Sequence, residues 1–407
     1  HDGIGPRTDR PIRQNLGWNT LETNRFGTHE FMQFCAQIGA EPYLCLNLGS
    51  GTVEEAVAWA EYCNCALETT LTRERAANGH PEPFGVKFWS LGNEPGYPMD
   101  GMMRPGHYAD VARRFAGYVK HIATQAPYAQ DARFRQAGVK MTLADYRSAK
   151  EAVQDGRESY FDLLAVHLYA GRSIAPEASA SEHYRALIAE LAQWKNEIRS
   201  ASELAAQLST AVHSVELAVD EWGVWKHEAT PQNGLRQACT LGDALFAAAA
   251  LHLFYAEQKI FMANFAQTIN VLTAMILTDG ERFCLTTVYH VFDLFKVHRT
   301  GVFLPIDGLP QRSHELSVCA SRSGGGTIHL SLVNLSENAT RRIQCTFAED
   351  VPKSVESRIL TGESVAAENT FEQPEKIRPI LWNSATLANG TLTISLPPRS
   401  VVLATLK

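Results

Sequence analysis

The feature that most constrains this chain is an alternation. Six short, near-continuously apolar runs (42–49, 86–94, 139–146, 163–170, 217–225 and 261–267) are separated by longer stretches with helical spacing. A strand that is apolar on nearly every residue has no wet face, so each run reads as a strand of a parallel sheet buried on both sides. The stretches 28–38, 53–67, 107–125, 182–208 and 235–255 are amphipathic and read as helices. Thr28 and Ser181 stand at expected N-cap positions. Residues 244–255 are Ala-rich, carry His252 and read as a buried helix.

Strand then helix, repeated, predicts a parallel sheet with helices outside. A closed (β/α)8 TIM barrel needs eight strands, and six are legible. The chain opens His1-Asp2-Gly3-Ile4-Gly5-Pro6, which reads as the inside of a loop, so the shortfall of two strands is expected at the front. After about Gly301 the pattern becomes short alternating strands at 316–320, 327–334, 341–347, 357–360, 391–396 and 401–406. Turn clusters such as Arg322-Ser323-Gly324-Gly325-Gly326 and Ala388-Asn389-Gly390 separate them. That texture predicts an antiparallel, jelly-roll-like β-sandwich. The expected division is therefore a barrel domain over 1–302, incomplete at its N-terminus, and a C-terminal sandwich over 303–407.

Composition removes several function classes. Lys and Arg number 37 against 44 Asp and Glu, a net charge of −7 with no basic block, which argues against nucleic acid as a partner. No apolar run reaches the roughly 18 residues that a membrane span requires. Eight cysteines are scattered without a zinc-like spacing, and Cys35, Cys45 and Cys239 read as reduced core residues, which favours a cytoplasmic setting. Asn334, Asn338 and Asn389 open N-x-S/T triplets of the kind that arise by chance, and these do not outweigh the cysteines.

Two carboxylates carry the chemistry. Glu94 lies in Gly92-Asn93-Glu94-Pro95-Gly96 and Glu221 in Asp220-Glu221-Trp222-Gly223-Val224-Trp225, each closing a barrel-type strand. Barrel active sites gather at the C-terminal ends of strands, and a Glu ending an apolar run is costly to bury unless it is paired or used. Asn93 offers an amide for a substrate hydroxyl, and Trp222 and Trp225 offer faces on which a sugar ring could stack. The plainer alternative makes the tryptophans core and the acids a cap.

Gly-Asn-Glu-Pro ending one strand and Asp-Glu-Trp ending another, three strands later, resembles the clan A retaining glycoside hydrolases. Further blocks resemble family 51 of that clan, the α-L-arabinofuranosidases. In chain order they are Asp2-Gly3-Ile4-Gly5-Pro6, Glu22-Thr23-Asn24-Arg25-Phe26-Gly27-Thr28-His29-Glu30-Phe31, Gly39-Ala40-Glu41-Pro42, Asn47-Leu48-Gly49, Glu61-Tyr62-Cys63-Asn64, Val166-His167-Leu168-Tyr169 and Ala266-Gln267-Thr268-Ile269-Asn270. The resemblance implies Glu94 as general acid/base, Glu221 as nucleophile and Asn93 at the sugar 2-hydroxyl. It also implies Tyr169 beside the nucleophile and Gln267 lining the sugar pocket. No cofactor or metal is expected.

The implied activity is removal of terminal α-L-arabinofuranosyl residues from arabinose-containing oligo- or polysaccharides by double displacement. The resemblance implies a homo-oligomer, and the two missing strands are expected either from a separate N-terminal fragment completing the barrel or from a longer enzyme of which this chain is a piece. His167 reads as a hydrogen-bonded neighbour and His29 as a helix-surface residue. The same pair of acids would also serve a β-xylosidase, a β-galactosidase or an endoglucanase, and an incomplete barrel could instead be a non-catalytic carbohydrate-binding remnant. A metal-dependent hydrolase would need ligands at several strand ends, where His167 alone qualifies.

Overall fold

A computed structural model describes residues 1–15, 17–18, 20–124, 139–153, 160–308, 315–348 and 351–407. Contacts divide it into two compact units: His1–Val166 with Arg199–Val219, and His167–Ile198 with Asp220–Lys407.

The first unit opens with a ribbon, β1 (Arg13–Asn15) against β2 (Thr20–Glu22). Then come α1 (Thr28–Ile38), β3 (Tyr43–Cys45), α2 (Val53–Asn64), α3 (Thr70–Ala77), β4 (Phe88–Leu91), α4 (Pro105–Thr124), β5 (Lys140–Leu143) and a short α5 (Ala149–Val153). Next are β6 (Leu163–Ala170), α6 (Ala180–Leu208) and β7 (Glu216–Val224), each of which begins in one unit and ends in the other. The second unit continues with α7 (Leu241–Ala256), β8 (Ile260–Phe265), a hairpin of β9 (Ile276–Asp279) and β10 (Arg282–Leu285), and α8 (Thr287–Phe295).

All six expected barrel strands form one sheet in the order β3-β4-β5-β6-β7-β8, with parallel pairing through the first four. This is the barrel-type α/β layer read from the sequence. Helices α1 and α2 start where expected, and α4 and α6 start two residues earlier than expected. Gly27 rather than Thr28 caps α1, and its N–H donates to Glu30 at 2.8 Å. Ser179 rather than Ser181 opens α6, its N–H and hydroxyl both donating to Glu182. Helix α2 stops at Asn64 because that buried amide pairs with Val86 in both directions, at 2.8 and 2.9 Å, and so fixes the approach to β4. Helix α7 starts at Leu241, six residues later than expected, behind a Thr240–Asp243 capping box. Gln125 lies outside the described residues.

The C-terminal strands are β11 (Val302–Phe303), β12 (Leu316–Arg322), β13 (Ile328–Asn334), β14 (Arg341–Thr346), β15 (Val355–Thr361), β16 (Ile380–Leu381), β17 (Ala385–Ala388), β18 (Thr391–Leu396) and β19 (Ser400–Leu406). They form antiparallel sheets in the orders β11-β12-β13-β19-β15-β16 and β14-β18-β17. Leu330, Leu332, Ile359 and Val402 from one sheet pack with Leu392, Ile394 and Leu396 from the other. Asn389 and Gly390, at φ 50° and 73°, make the two-residue turn joining β17 to β18, where both central residues must be left-handed. Asn334 is fully buried, and its amide donates to Ala339, Leu396 and Pro397 carbonyls, so it is no surface acceptor for a glycan.

Two further readings are corrected. His29 is half-buried, 2.6 Å from the Tyr62 hydroxyl and edge-on to Phe84, and this burial lowers its pKa. Cys45 is exposed, because β3 ends the sheet order among the described residues. Cys35 and Cys239 are buried as expected.

Helix α7 is buried over most of its length, and His252 joins a polar network beneath the sandwich. The Ser331 hydroxyl lies 2.8 Å from Nε2 of both His252 and His298 and donates to the Cys319 carbonyl. One hydroxyl proton spent on a carbonyl leaves both rings to donate from Nε2. Ser317 and Ser321 stand 2.8 and 2.7 Å from the two Nδ1 atoms. Burial pushes His252 down to about 3 and His298 down to about 4. Because these folded values lie below the unfolded one near 6.5, the stability linked to the two rings is complete above pH 6.5 and is lost as pH falls toward 4 and 3. Urea midpoints should therefore drop between pH 7 and 5. A His252→Gln/His298→Gln variant, less stable at pH 7, should show a smaller drop, and an unchanged pH slope would contradict this.

Candidate active site

Glu94 follows β4 in a sharply turned segment. Gly92 is left-handed at φ 85°, and a side chain there would press on Leu48 at 3.3 Å. Glu94 itself sits at φ 39°, a region that non-glycine residues rarely occupy and that clusters at functional sites. The turn is pinned from several sides. Ser90 Oγ donates to the Gly92 carbonyl at 2.7 Å, Tyr97 N–H to the Glu94 carbonyl at 2.9 Å, and Met103 N–H to the Pro95 carbonyl at 2.7 Å. The fully buried Tyr108 of α4 donates its hydroxyl to the Leu91 carbonyl and accepts the Ala144 N–H, both at 2.7 Å. It thereby ties the ends of β4 and β5 to one helix. Asn93 and Glu94 are both half-buried, while Pro95 is buried behind them.

Glu221 lies on β7, where Asp220 and Glu221 are half-buried between fully buried neighbours. Tyr169 Oη donates to Glu221 Oε2 at 2.8 Å. His167, two residues earlier on the same face of β6, holds Nδ1 at 3.6 Å from that oxygen and Nε2 at 3.4 Å from Asp220 Oδ1. The alternation along β6 is visible: Leu168 and Ala170 are buried, His167 and Tyr169 are half-buried.

Trp222 is closed to solvent while Glu221 beside it is half-buried, so the ring has no face to offer a sugar. Trp222 is 0% exposed and packs edge-on against Phe254 and Phe265, with Trp194 of α6 beyond. The expectation of Trp222 as a stacking face is thus corrected to a core role. Trp225 is the half-buried tryptophan, edge-on to Tyr169 with ring centres 5.3 Å apart. Gln267 is exposed just after β8, following Ala266, whose N–H donates to the Trp222 carbonyl at 2.9 Å.

Several positioning residues carry no local sequence signal. Gln237 accepts Lys226 N–H and donates to the Val224 carbonyl, and Thr273 Oγ1 donates to that same carbonyl at 2.8 Å. Lys226 forms a buried 2.8 Å ion pair with Asp243. Burial works against its charge, but the nearby carboxylate outweighs this and raises the lysine pKa. Gly223 is obligatory for packing, since a methyl group there would approach the Ala266 carbonyl oxygen to 2.9 Å.

The family model described as α-L-arabinofuranosidase 1 domain matches residues 1–186, and the α-L-arabinofuranosidase C-terminal domain model matches 220–400. An intracellular exo-α-L-arabinofuranosidase of Bacteroides ovatus is 31% identical over 98% of this chain and 79% of its own length. The chain belongs to the α-L-arabinofuranosidase family of glycoside hydrolases, family 51. A probable α-L-arabinofuranosidase C of Aspergillus niger is likewise 31% identical, over 90% of this chain and 75% of its own. Among solved structures, the family 51 arabinofuranosidase of Xanthomonas axonopodis pv. citri superposes with a TM-score of 0.88 at 30% identity. That match covers 100% of this chain and 84% of that one. The Thermotoga maritima α-L-arabinofuranosidase, in complex with arabinose, gives 0.84 at 28% identity over 99% and 83%.

Two outcomes follow for this arabinofuranosidase. Tyr169→Phe should lower kcat roughly 10- to 100-fold, the scale of a lost hydrogen bond to a carboxylate, with little change in melting temperature. Gly223→Ala should instead act on stability, costing about 1–3 kcal/mol in urea unfolding.

Proposed function

We propose that Glu94 and Glu221 are the acid/base and nucleophile of a retaining double displacement on terminal α-L-arabinofuranosides. Glu221 attacks the anomeric carbon while Glu94 gives its proton to the leaving oxygen. Water then enters, Glu94 takes a proton from it, and the glycosyl-enzyme is hydrolysed. This route requires the carboxyls about 5–5.5 Å apart. The observation that carries the reading is the Tyr169–Glu221 hydrogen bond, which orients the carboxylate on its strand. The left-handed Glu94 at the end of its own strand supports the second role. Asn93 and Gln267 are assigned to sugar hydroxyls by the family resemblance and their positions beside the two strand ends.

Around this core we propose a catalytic domain over 1–302 and a sandwich domain over 303–407. Cytoplasmic action is supported by eight free cysteines and by the word intracellular in the name of the Bacteroides relative. Among the described residues, no helix is long and apolar enough to cross a membrane. A homo-oligomer is supported by exposed apolar side chains such as Phe283 and Leu381, at 63% and 68%. A strand-bearing N-terminal segment from another polypeptide would have a seat beside β3. There a cavity of about 730 Å³ is lined by Phe31, Tyr43, Cys45 and Trp59.

The test is turnover of 4-nitrophenyl α-L-arabinofuranoside against the β-xyloside and β-glucoside. The arabinofuranoside should be the preferred substrate. Glu94→Ala and Glu221→Ala should each remove most turnover, and azide should rescue the latter with an inverted glycosyl azide. Full activity in either variant would overturn the assignment.

A further inference from the structure

The loop leaving β6 carries a feature that the double displacement does not use. Arg172, three residues beyond Tyr169, is exposed, and its guanidinium carbon stands 4.4 Å from the centre of the Trp225 ring. Trp225 is itself held. Its indole N–H donates to the Ala229 carbonyl at 3.1 Å, its backbone N–H to the Ala170 carbonyl at 2.7 Å, and Tyr169 packs against it edge-on. The loop is braced by Glu190, which accepts from Gly171 N–H and Ser173 Oγ on either side of Arg172. Among the described residues Arg172 forms no ion pair, and the carboxylate bracing its loop is already engaged by neutral donors. The contacts Arg172–Trp225–Tyr169–Glu221 link this guanidinium to the proposed nucleophile through two aromatic rings.

Charge makes the placement informative. The protein is net negative at −7, and Asp220 and Glu221 stand next to one another on β7. An acidic polymer approaching these carboxylates is repelled, whereas a neutral one is not. A stacked guanidinium is pre-organised and weakly hydrated, and it matches a carboxylate with two parallel N–H donors.

We propose that Arg172 is a specificity residue that recognises the carboxylate of a uronic acid in the aglycone, so that the enzyme favours arabinofuranosyl groups on acidic saccharides. This rests on the reading of Glu221 as nucleophile. The guanidinium pairs with the uronate while Trp225 fixes its plane, and no bond is made or broken there.

The test compares kcat/KM for two arabinofuranosyl oligosaccharides of equal length, one with a neutral aglycone and one bearing a single uronic acid beside the arabinosylated sugar. At low salt the acidic substrate should be preferred roughly tenfold, and the preference should shrink as sodium chloride screens the pair. Arg172→Met, which keeps an apolar cover on Trp225, should abolish the preference, and Arg172→Lys should retain part of it. A purely structural latch on Trp225 would alter both substrates equally and leave their ratio unmoved. No preference in the parent enzyme, or one that survives Arg172→Met, would overturn the proposal. Loss of neutral-substrate turnover in Glu221→Ala separately checks the site reading, so the two can fail independently.

Discussion

A parallel strand buried on both faces can hold a charged side chain only where its burial ends or is interrupted. That constraint organises this molecule. In β4 the residues Trp89, Ser90 and Leu91 are all buried, and the first acidic side chain after them comes at Glu94, beyond the strand and in a left-handed turn. In β7 the apolar run Leu217–Ala218–Val219 is likewise closed to solvent before Asp220 and Glu221 emerge half-buried. Desolvating a carboxylate within either run would cost several kcal/mol unless it were paired, so such groups are admitted beyond the end of β4 and at the half-buried step within β7. The same strand geometry that turns Glu221 toward the polar side sends Trp222 into the helices. The proposed nucleophile and a core tryptophan are therefore direct neighbours in sequence.

Holding those ends in place falls to hydrogen bonds between segments far apart in the chain. Asn64 pairs with Val86 before β4 begins, Tyr108 grips Leu91 and Ala144 where β4 and β5 finish, and Gln237 and Thr273 converge on Val224. Each replaces a missing backbone partner at the edge of a ladder, and each is buried enough that losing it would leave an unsatisfied group. The Lys226–Asp243 pair extends this pattern, linking the end of β7 to the start of α7. The site rests on these ties as much as on the sheet itself.

This division explains what the sequence made legible. Strand and helix periodicities are local, so six barrel strands, the buried α7 and the antiparallel C-terminal sheets were readable with small errors at their ends. Helix caps fall one or two residues earlier than Thr28 and Ser181, which are good capping types, because Gly27 takes the extended cap geometry and Ser179 exchanges hydrogen bonds with Glu182. Trp222 reads differently in sequence and structure because an aromatic beside an acid in the sequence does not show which face each takes. Tyr108, Gln237, Thr273 and Arg172 carried no signal at all, since each matters through a partner remote in sequence or through exposure that only folding decides. His29 reached Tyr62 across 33 positions for the same reason.

The central claim is that Glu221 is the atom-bonding nucleophile. The most direct measurement is peptide mapping by mass spectrometry after a Glu94→Ala enzyme reacts with 2,4-dinitrophenyl α-L-arabinofuranoside. That substrate's good leaving group needs no acid, so the covalent intermediate accumulates. The account predicts one arabinosyl residue attached to the peptide that contains Glu221, at that side chain. A modified residue elsewhere, or release of dinitrophenol with no adduct and with inverted arabinose, would contradict it.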